Sequence, residues 1–92
     1  MKDLCLTDDS FVKLKSLILH ENLKQLEKWG VQDHDPFRWI AFTLEELGEL
    51  SEAISEWTFR EGTVEDVVKE AIQTTTLALK IAEMFQNLLV TK

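Results

Sequence analysis

Glutamate is concentrated in one short stretch of the chain, at positions 45, 46, 49, 52 and 56. If the stretch is helical, four of the five line up on the side opposite a Leu/Ile stripe, which is typical of a solvated surface. Glu46 falls instead on the shoulder of the apolar side, three residues before Glu49. Side chains three residues apart on a helix are neighbours. We therefore predict that the carboxylates of Glu46 and Glu49 converge.

A further acid, Glu70, stands out because its surroundings on a helix are apolar. It shares a face with Val67 and Leu77, and no Lys or Arg lies three or four residues away. A buried carboxylate without a partner is costly, so Glu70 must be protonated, paired across the bundle or bound to a cation. Gln73, three residues further on, adds an amide oxygen to the same patch.

Start and stop signals divide the chain into the helices that must position these residues. Thr7–Ser10 supplies N-cap residues, and Gly30 can end the first helix in the left-handed conformation. Asp35 followed by Pro36 begins the second helix, and Thr63 begins the third. We predict an all-α fold, an antiparallel bundle of three long helices in one domain over residues 1–92. The helices should cover about residues 8–29, 36–58 and 64–89.

Antiparallel packing of the second and third helices would bring Glu46 and Glu49 opposite Glu70 and Gln73. Three carboxylates and an amide oxygen are hard ligands, which suit Mg²⁺ or Mn²⁺ better than zinc. A buried polar network that fixes an oligomer is the alternative interpretation. Spacing alone leaves both open.

Composition narrows the classes of partner. Ten basic and 17 acidic residues give a net charge of −7. Without a basic stripe, DNA and RNA polymers are poor partners, because neutralised phosphates supply most of their affinity for proteins. No apolar run approaches the ~20 residues of a membrane span. The opening nine residues are too short and too acidic for a signal peptide. We expect a cytoplasmic protein with no membrane partner.

The third helix is apolar over most of its circumference, which predicts burial on several sides. One narrow polar strip runs along it, through Glu65, Lys69, Thr76, Lys80 and Glu83. Two other helices cannot cover the rest, so we expect a homodimer or homotetramer that completes the bundle.

These acidic blocks resemble the motif of the MazG-like nucleotide pyrophosphohydrolases. Glu45-Glu46-Leu47-Gly48-Glu49-Leu50, a spacer and Glu70-Ala71-Ile72-Gln73 are similar to the Glu-Glu-x-x-Glu, spacer, Glu-x-x-Asp pattern of that all-α superfamily. The segment from Lys28 to Pro36, followed by Trp39, also resembles short members. The likeness runs from about Gln25 to Phe85.

The resemblance implies a Mg²⁺-dependent enzyme of nucleotide-pool cleaning that splits a nucleoside triphosphate, often a deoxynucleotide, into monophosphate and pyrophosphate. Glu46, Glu49 and Glu70 match metal ligands. Glu45 matches the leading acid, and either Glu45 or Glu49 is expected to accept the proton of the attacking water. Gln73 stands where the family usually has Asp, so the site has one negative charge fewer and should bind metal more weakly.

Substrate contacts are predicted from residues near the acidic blocks. Asn22 and Gln25 could hydrogen-bond a nucleobase, Trp29 could stack on it, and His34 or Arg38 could contact base or phosphate. Core packing for the tryptophan, a turn role for His34 and a surface ion pair for Arg38 are the structural alternatives. The alternative function is a non-catalytic oligomeric MazG-like module with an acidic binding or assembly pocket.

Overall fold

The computed structural model describes residues 1–89, which form three α-helices and no strand. They are α1 (Asp8–Trp29), α2 (Pro36–Phe59) and α3 (Val64–Leu89). The predicted all-α class is confirmed, and α2 extends one residue beyond the expected end. Within the described part of the chain, no helix is both long enough and apolar enough to cross a membrane.

Side-chain caps explain where the helices begin. The Asp35 carboxylate accepts a hydrogen bond from the backbone N–H of Arg38 at 3.0 Å, and Thr63 Oγ1 accepts one from the N–H of Asp66 at 3.1 Å. Thr7 caps α1 in the same way. Each cap satisfies a backbone donor that has no partner within its helix, so the chain has little freedom to shift the helix starts.

A tight turn at Gly62 sends α3 back along α2. The backbone N–H groups of Arg60 and Gly62 both donate to the Glu56 carbonyl, at 2.9 and 3.1 Å. A Cβ at Gly62 would lie 2.7 Å from the Glu56 carbonyl carbon and the Trp57 nitrogen. Only glycine fits this turn, which makes α2 and α3 antiparallel neighbours.

The third helix is the centre of the fold, because α1 and α2 both pack on it and not on each other. Among the described residues, no Cα of α1 lies within 8 Å of a Cα of α2. The core is correspondingly small. Its buried side chains are Trp39 from α2 and Ile72, Thr76 and Leu77 from α3.

The polar strip of α3 turns towards α1. Thr76 is the most buried side chain of the core, at 2% exposure. On α3, Thr76 lies one turn after Ile72 and one turn before Lys80. The Ile72 side chain lines a groove between α1 and α3. The Lys80 ammonium donates to Gln25 Oε1 of α1 at 2.5 Å, and Gln25 Nε2 donates to Glu21 at 3.0 Å. The polar strip is therefore a contact surface between helices.

Candidate functional site

Three carboxylates from two helices meet at one point of the α2–α3 interface. One oxygen from each of Glu46, Glu49 and Glu70 can be chosen so that all three lie within 4.8 Å of one another. Glu46 and Glu70 are half-buried, and Glu49 is exposed. The structure thus brings together the acids that the spacing singled out.

Helix periodicity and the antiparallel pairing together produce this meeting. Glu46 and Glu49 lie one turn apart on α2, and Glu70 and Gln73 lie one turn apart on α3. Gln73 reaches Glu46, while Glu70 lies close to Glu49. Because the two pairs run in opposite directions along their helices, each residue on α2 finds a partner on α3.

The shared environment makes it costly to ionise these carboxyls. The pKa of Glu46 is raised from 4.5 to about 7, first by burial, then by the charge of Glu49 and a hydrogen bond with it, and then by Glu70 and Glu45. The pKa of Glu70 is also raised, first by burial and then by Glu49. The neighbouring charge of Lys69 opposes that rise only in part.

Gln73 contacts two of the carboxylates through its amide. With the amide nitrogen turned towards them, Nε2 donates to Glu70 Oε2 at 3.0 Å and to Glu46 Oε2 at 3.1 Å. In this orientation Gln73 is a neutral donor that stabilises two crowded acids. Service as a metal ligand would require the amide to rotate and present its oxygen, so that role remains a prediction.

The donor set fits a hard divalent cation. It consists of carboxylate oxygens without His or Cys, which is the ligand chemistry of Mg²⁺ and Mn²⁺. Among the described residues, the Arg60 guanidinium bonds to Glu56 and the Lys80 ammonium bonds to Gln25, and neither of these bonds is to the cluster. A cation bound between the helices would offset the burial and the mutual repulsion that raise the pKa values of Glu46 and Glu70.

Glu45 lies beside the cluster, exposed, with its charge contributing to the raised pKa of Glu46. It is therefore close enough for its charge to affect the pKa of Glu46. The oxygens that converge most closely belong to Glu46, Glu49 and Glu70. This position fits a proton acceptor at the edge of the cluster.

His34 and Arg38 lie in an aromatic group at the start of α2. The His34 ring is 5.3 Å from the rings of both Trp39 and Phe42, in edge-on geometry. The Arg38 guanidinium carbon lies 5.6 Å from the Phe42 ring centre. His34 Nε2 is buried without a hydrogen-bond partner among the described residues. Phe42 precedes Glu46 by one helical turn, so this group adjoins the acids along α2.

The α1 candidates are not brought to the cluster. Gln25 is bonded to Lys80 and Glu21, and Asn22 is half-buried on the same helix. Trp29 is 60% exposed, with the Lys28 ammonium 4.9 Å from its ring centre, so a core role for it is excluded within this chain. Since α1 does not pack on α2, base contacts from these residues remain a prediction.

The structure gives two residues contacts that spacing had not predicted, one beside the site and one away from it. Phe42 joins His34 and Arg38, and its position one turn before Glu46 was the available signal. Lys80 is tied to α1, which its membership of a polar strip did not indicate. The strip shows which residues share a face but not which helix covers it.

No family model, curated protein or solved structure matches the chain. A functional assignment must therefore rest on the residues and their geometry.

Proposed function

We propose that the protein is a Mg²⁺-dependent nucleoside triphosphate pyrophosphohydrolase of the MazG-like type, with Mn²⁺ as a substitute cation. It would convert a nucleoside or deoxynucleoside triphosphate and water into the monophosphate and pyrophosphate, in nucleotide-pool cleaning. The convergence of Glu46, Glu49 and Glu70 carries this proposal. These carboxylates come from two helices, and the burial that raises the pKa of Glu46 and Glu70 makes it costly to ionise them there without a cation.

In this proposal the acids of the chain have two roles, which are binding the cation and accepting a proton. Glu46, Glu49 and Glu70 hold Mg²⁺, with Gln73 as a fourth ligand if its amide rotates. The bound cation would screen the charge of the triphosphate, which a protein of net charge −7 would otherwise repel. Glu45 or Glu49 accepts the proton of the attacking water, because both lie at the exposed edge of the cluster.

The aromatic group at the start of α2 would hold the rest of the substrate. His34 Nε2 is buried and unpartnered, so it would bond a polar atom of a base or sugar once the rings around it move apart, whereas the exposed Arg38 can contact phosphate directly. Trp39 and Phe42 form the walls around His34. We place the activity in the cytoplasm, where nucleoside triphosphates are abundant.

A product assay tests the proposal. Purified protein is incubated with Mg²⁺ and each common ribonucleotide and deoxyribonucleotide, and monophosphate and pyrophosphate are quantified together. We expect turnover of at least one nucleotide. Glu70→Gln should abolish it, since a ligand is lost, whereas Glu52→Gln on the exposed line of α2 should leave it unchanged.

The same variants separate this proposal from a non-catalytic module. If acids from one subunit pair with cations of another, Glu70→Gln weakens assembly, because a buried ion pair loses one member. In the enzyme, the substitution leaves assembly intact and removes hydrolysis. Absence of turnover with every nucleotide, together with no thermal shift on adding Mg²⁺, would contradict the enzyme proposal.

A further inference from the structure

One lysine lies beside the acidic cluster and is not used by any other group of the described chain. Lys69 directly precedes Glu70 on α3 and lies one turn before Gln73, whose amide contacts two of the acids. Its side chain is exposed and forms no ion pair or side-chain hydrogen bond with a described residue, although Glu65 and Asp66 lie one turn earlier on the same helix. Its ammonium is therefore free to bind a ligand next to the acids.

The other cations of the α2–α3 pair are placed differently. Arg60 bonds to a glutamate of its own helix, and Lys80 bonds to a glutamine of α1. Among the described residues, the main influences on the pKa values of Glu46 and Glu70 include one positive charge, which belongs to Lys69. An anion bound at the cluster would therefore be close to the charge of Lys69.

Lys69 and the aromatic group of α2 lie at opposite ends of the cluster. The aromatic group precedes Glu46 by one to two helical turns on α2. On α3, the step back from Gln73 to Lys69 runs the other way, because the helices are antiparallel and Glu70 lies close to Glu49. A ligand that extends from the aromatic group past the acids would therefore end near Lys69.

The space next to Lys69 is open. A groove of about 410 Å³ lies between α1 and α3, and its charged lining consists of Lys24, Lys69, Glu21 and Glu65. The Glu21 carboxylate accepts a hydrogen bond from Gln25 of its own helix. Because Lys69 lies between this groove and the cluster, phosphates that extend beyond the acids have both room and a positive partner.

We propose that Lys69 binds the terminal phosphates of the triphosphate and stabilises the departing pyrophosphate, while the nucleoside lies towards the aromatic group. In the proposed reaction the bond between the α- and β-phosphates breaks and its electron pair leaves with pyrophosphate. The proton of the attacking water passes to Glu45 or Glu49. A cation fixed where this charge develops favours the transition state over the ground state. This inference rests on the proposed function and adds the direction in which the substrate lies.

Calorimetric titration of the full chain with pyrophosphate in the presence of Mg²⁺ tests the assignment without turnover. We expect Lys69→Met to weaken pyrophosphate binding about tenfold, because charge-assisted hydrogen bonds to phosphate are the stronger kind. Lys69→Arg should retain most of the affinity, since it keeps the charge. Lys24→Met is the matched control, because Lys24 lines the same groove from α1, and it should bind pyrophosphate as the wild type does.

Titration with a nucleoside monophosphate shows which end of the substrate Lys69 contacts. We expect the monophosphate to bind Lys69→Met and the wild type equally, since it lacks the terminal phosphates. Equal pyrophosphate affinity in Lys69→Met and the wild type, or equal weakening for monophosphate and pyrophosphate, would overturn the role of Lys69 and leave the proposed function intact. A wild type that neither binds Mg²⁺ nor hydrolyses any nucleotide would overturn both.

Discussion

At the scale of residues, the sequence predicted which acids of the cluster would meet, whereas the orientation of the Gln73 amide is visible only in the structure. The meeting of Glu46, Glu49 and Glu70 follows from three-residue spacing on two antiparallel helices. The amide of Gln73 is different, because it bonds to two of the carboxylates when its nitrogen is turned towards them. Helix periodicity places a side chain on a face but does not orient its terminal atoms, which respond to the charges around them.

Replacing Gln73 by Asp should convert a stabilising neighbour into a fourth acid. The variant loses the donor that reaches Glu46 and Glu70, so the metal-free protein should melt at a lower temperature. The added negative charge should tighten Mg²⁺ binding about tenfold, which is ~1.4 kcal/mol. Calorimetric titration with Mg²⁺ measures the affinity, and Gln86→Asp on the exposed part of α3 adds the same charge elsewhere. Equal Mg²⁺ affinity in the two variants would contradict a ligand position at Gln73.

The raised pKa of Glu46 predicts how stability depends on pH. The folded protein holds this proton more tightly than the unfolded chain, whose Glu titrates near 4.5, while the folded group titrates near 7. The stabilisation is therefore complete below the lower value and is lost as pH rises through the higher one. We expect the melting temperature of metal-free protein to fall between about pH 5 and about pH 8, and Glu46→Gln to reduce that fall.

Metal should reverse this dependence, because ligand carboxylates must be ionised to bind it. The thermal shift produced by Mg²⁺ should be larger at the upper end of the range than at the lower end. A shift of equal size at both ends would show that Mg²⁺ does not bind at Glu46.

At the scale of elements, capping chemistry made the helix bounds predictable, while tertiary contacts decided which faces are covered. Asp35, Thr63 and Gly62 determine the second and third helix starts through local bonds and a tight turn. The burial of Thr76 and the docking of Lys80 on α1 were not predictable from the pattern on α3. A helical-wheel projection of α3 identifies a polar strip but does not show which helix packs on it. The bond from Lys80 of that strip to Gln25 of α1 is visible only in the structure.

The hydrogen bond from Lys80 to Gln25 joins α3 to α1. We therefore predict that removing this bond makes the packing of α1 on α3 less stable. Lys80→Ala removes the donor to Gln25 Oε1 and the positive charge near Glu21, which should reduce the free energy of unfolding by about 1 kcal/mol. Urea unfolding measures the loss, and faster amide exchange confined to α1 would locate it. Lys13→Ala, at an exposed position of α1, is the control and should change neither quantity.

At the scale of the whole molecule, three helices in one chain provide an acidic site but only a small core. The α2–α3 pair supplies every residue of the cluster, and α1 attaches to the opposite part of α3 through a partly polar contact. The sequence predicted uncovered apolar surface on α3, and the structure shows exposed apolar side chains on α2 as well, among them Phe37 and Leu44.

Binding of Mn²⁺ followed by electron paramagnetic resonance tests most directly whether the three glutamates hold a divalent cation. Free Mn²⁺ gives a strong six-line signal that broadens when the ion is bound, and added Mg²⁺ should restore it by competition. We predict saturable binding by the wild type, at least tenfold weaker binding by Glu70→Gln and unchanged binding by Glu52→Gln. A wild type that leaves the free signal intact, or a Glu70→Gln protein that binds as tightly as the wild type, would contradict a cation site between α2 and α3.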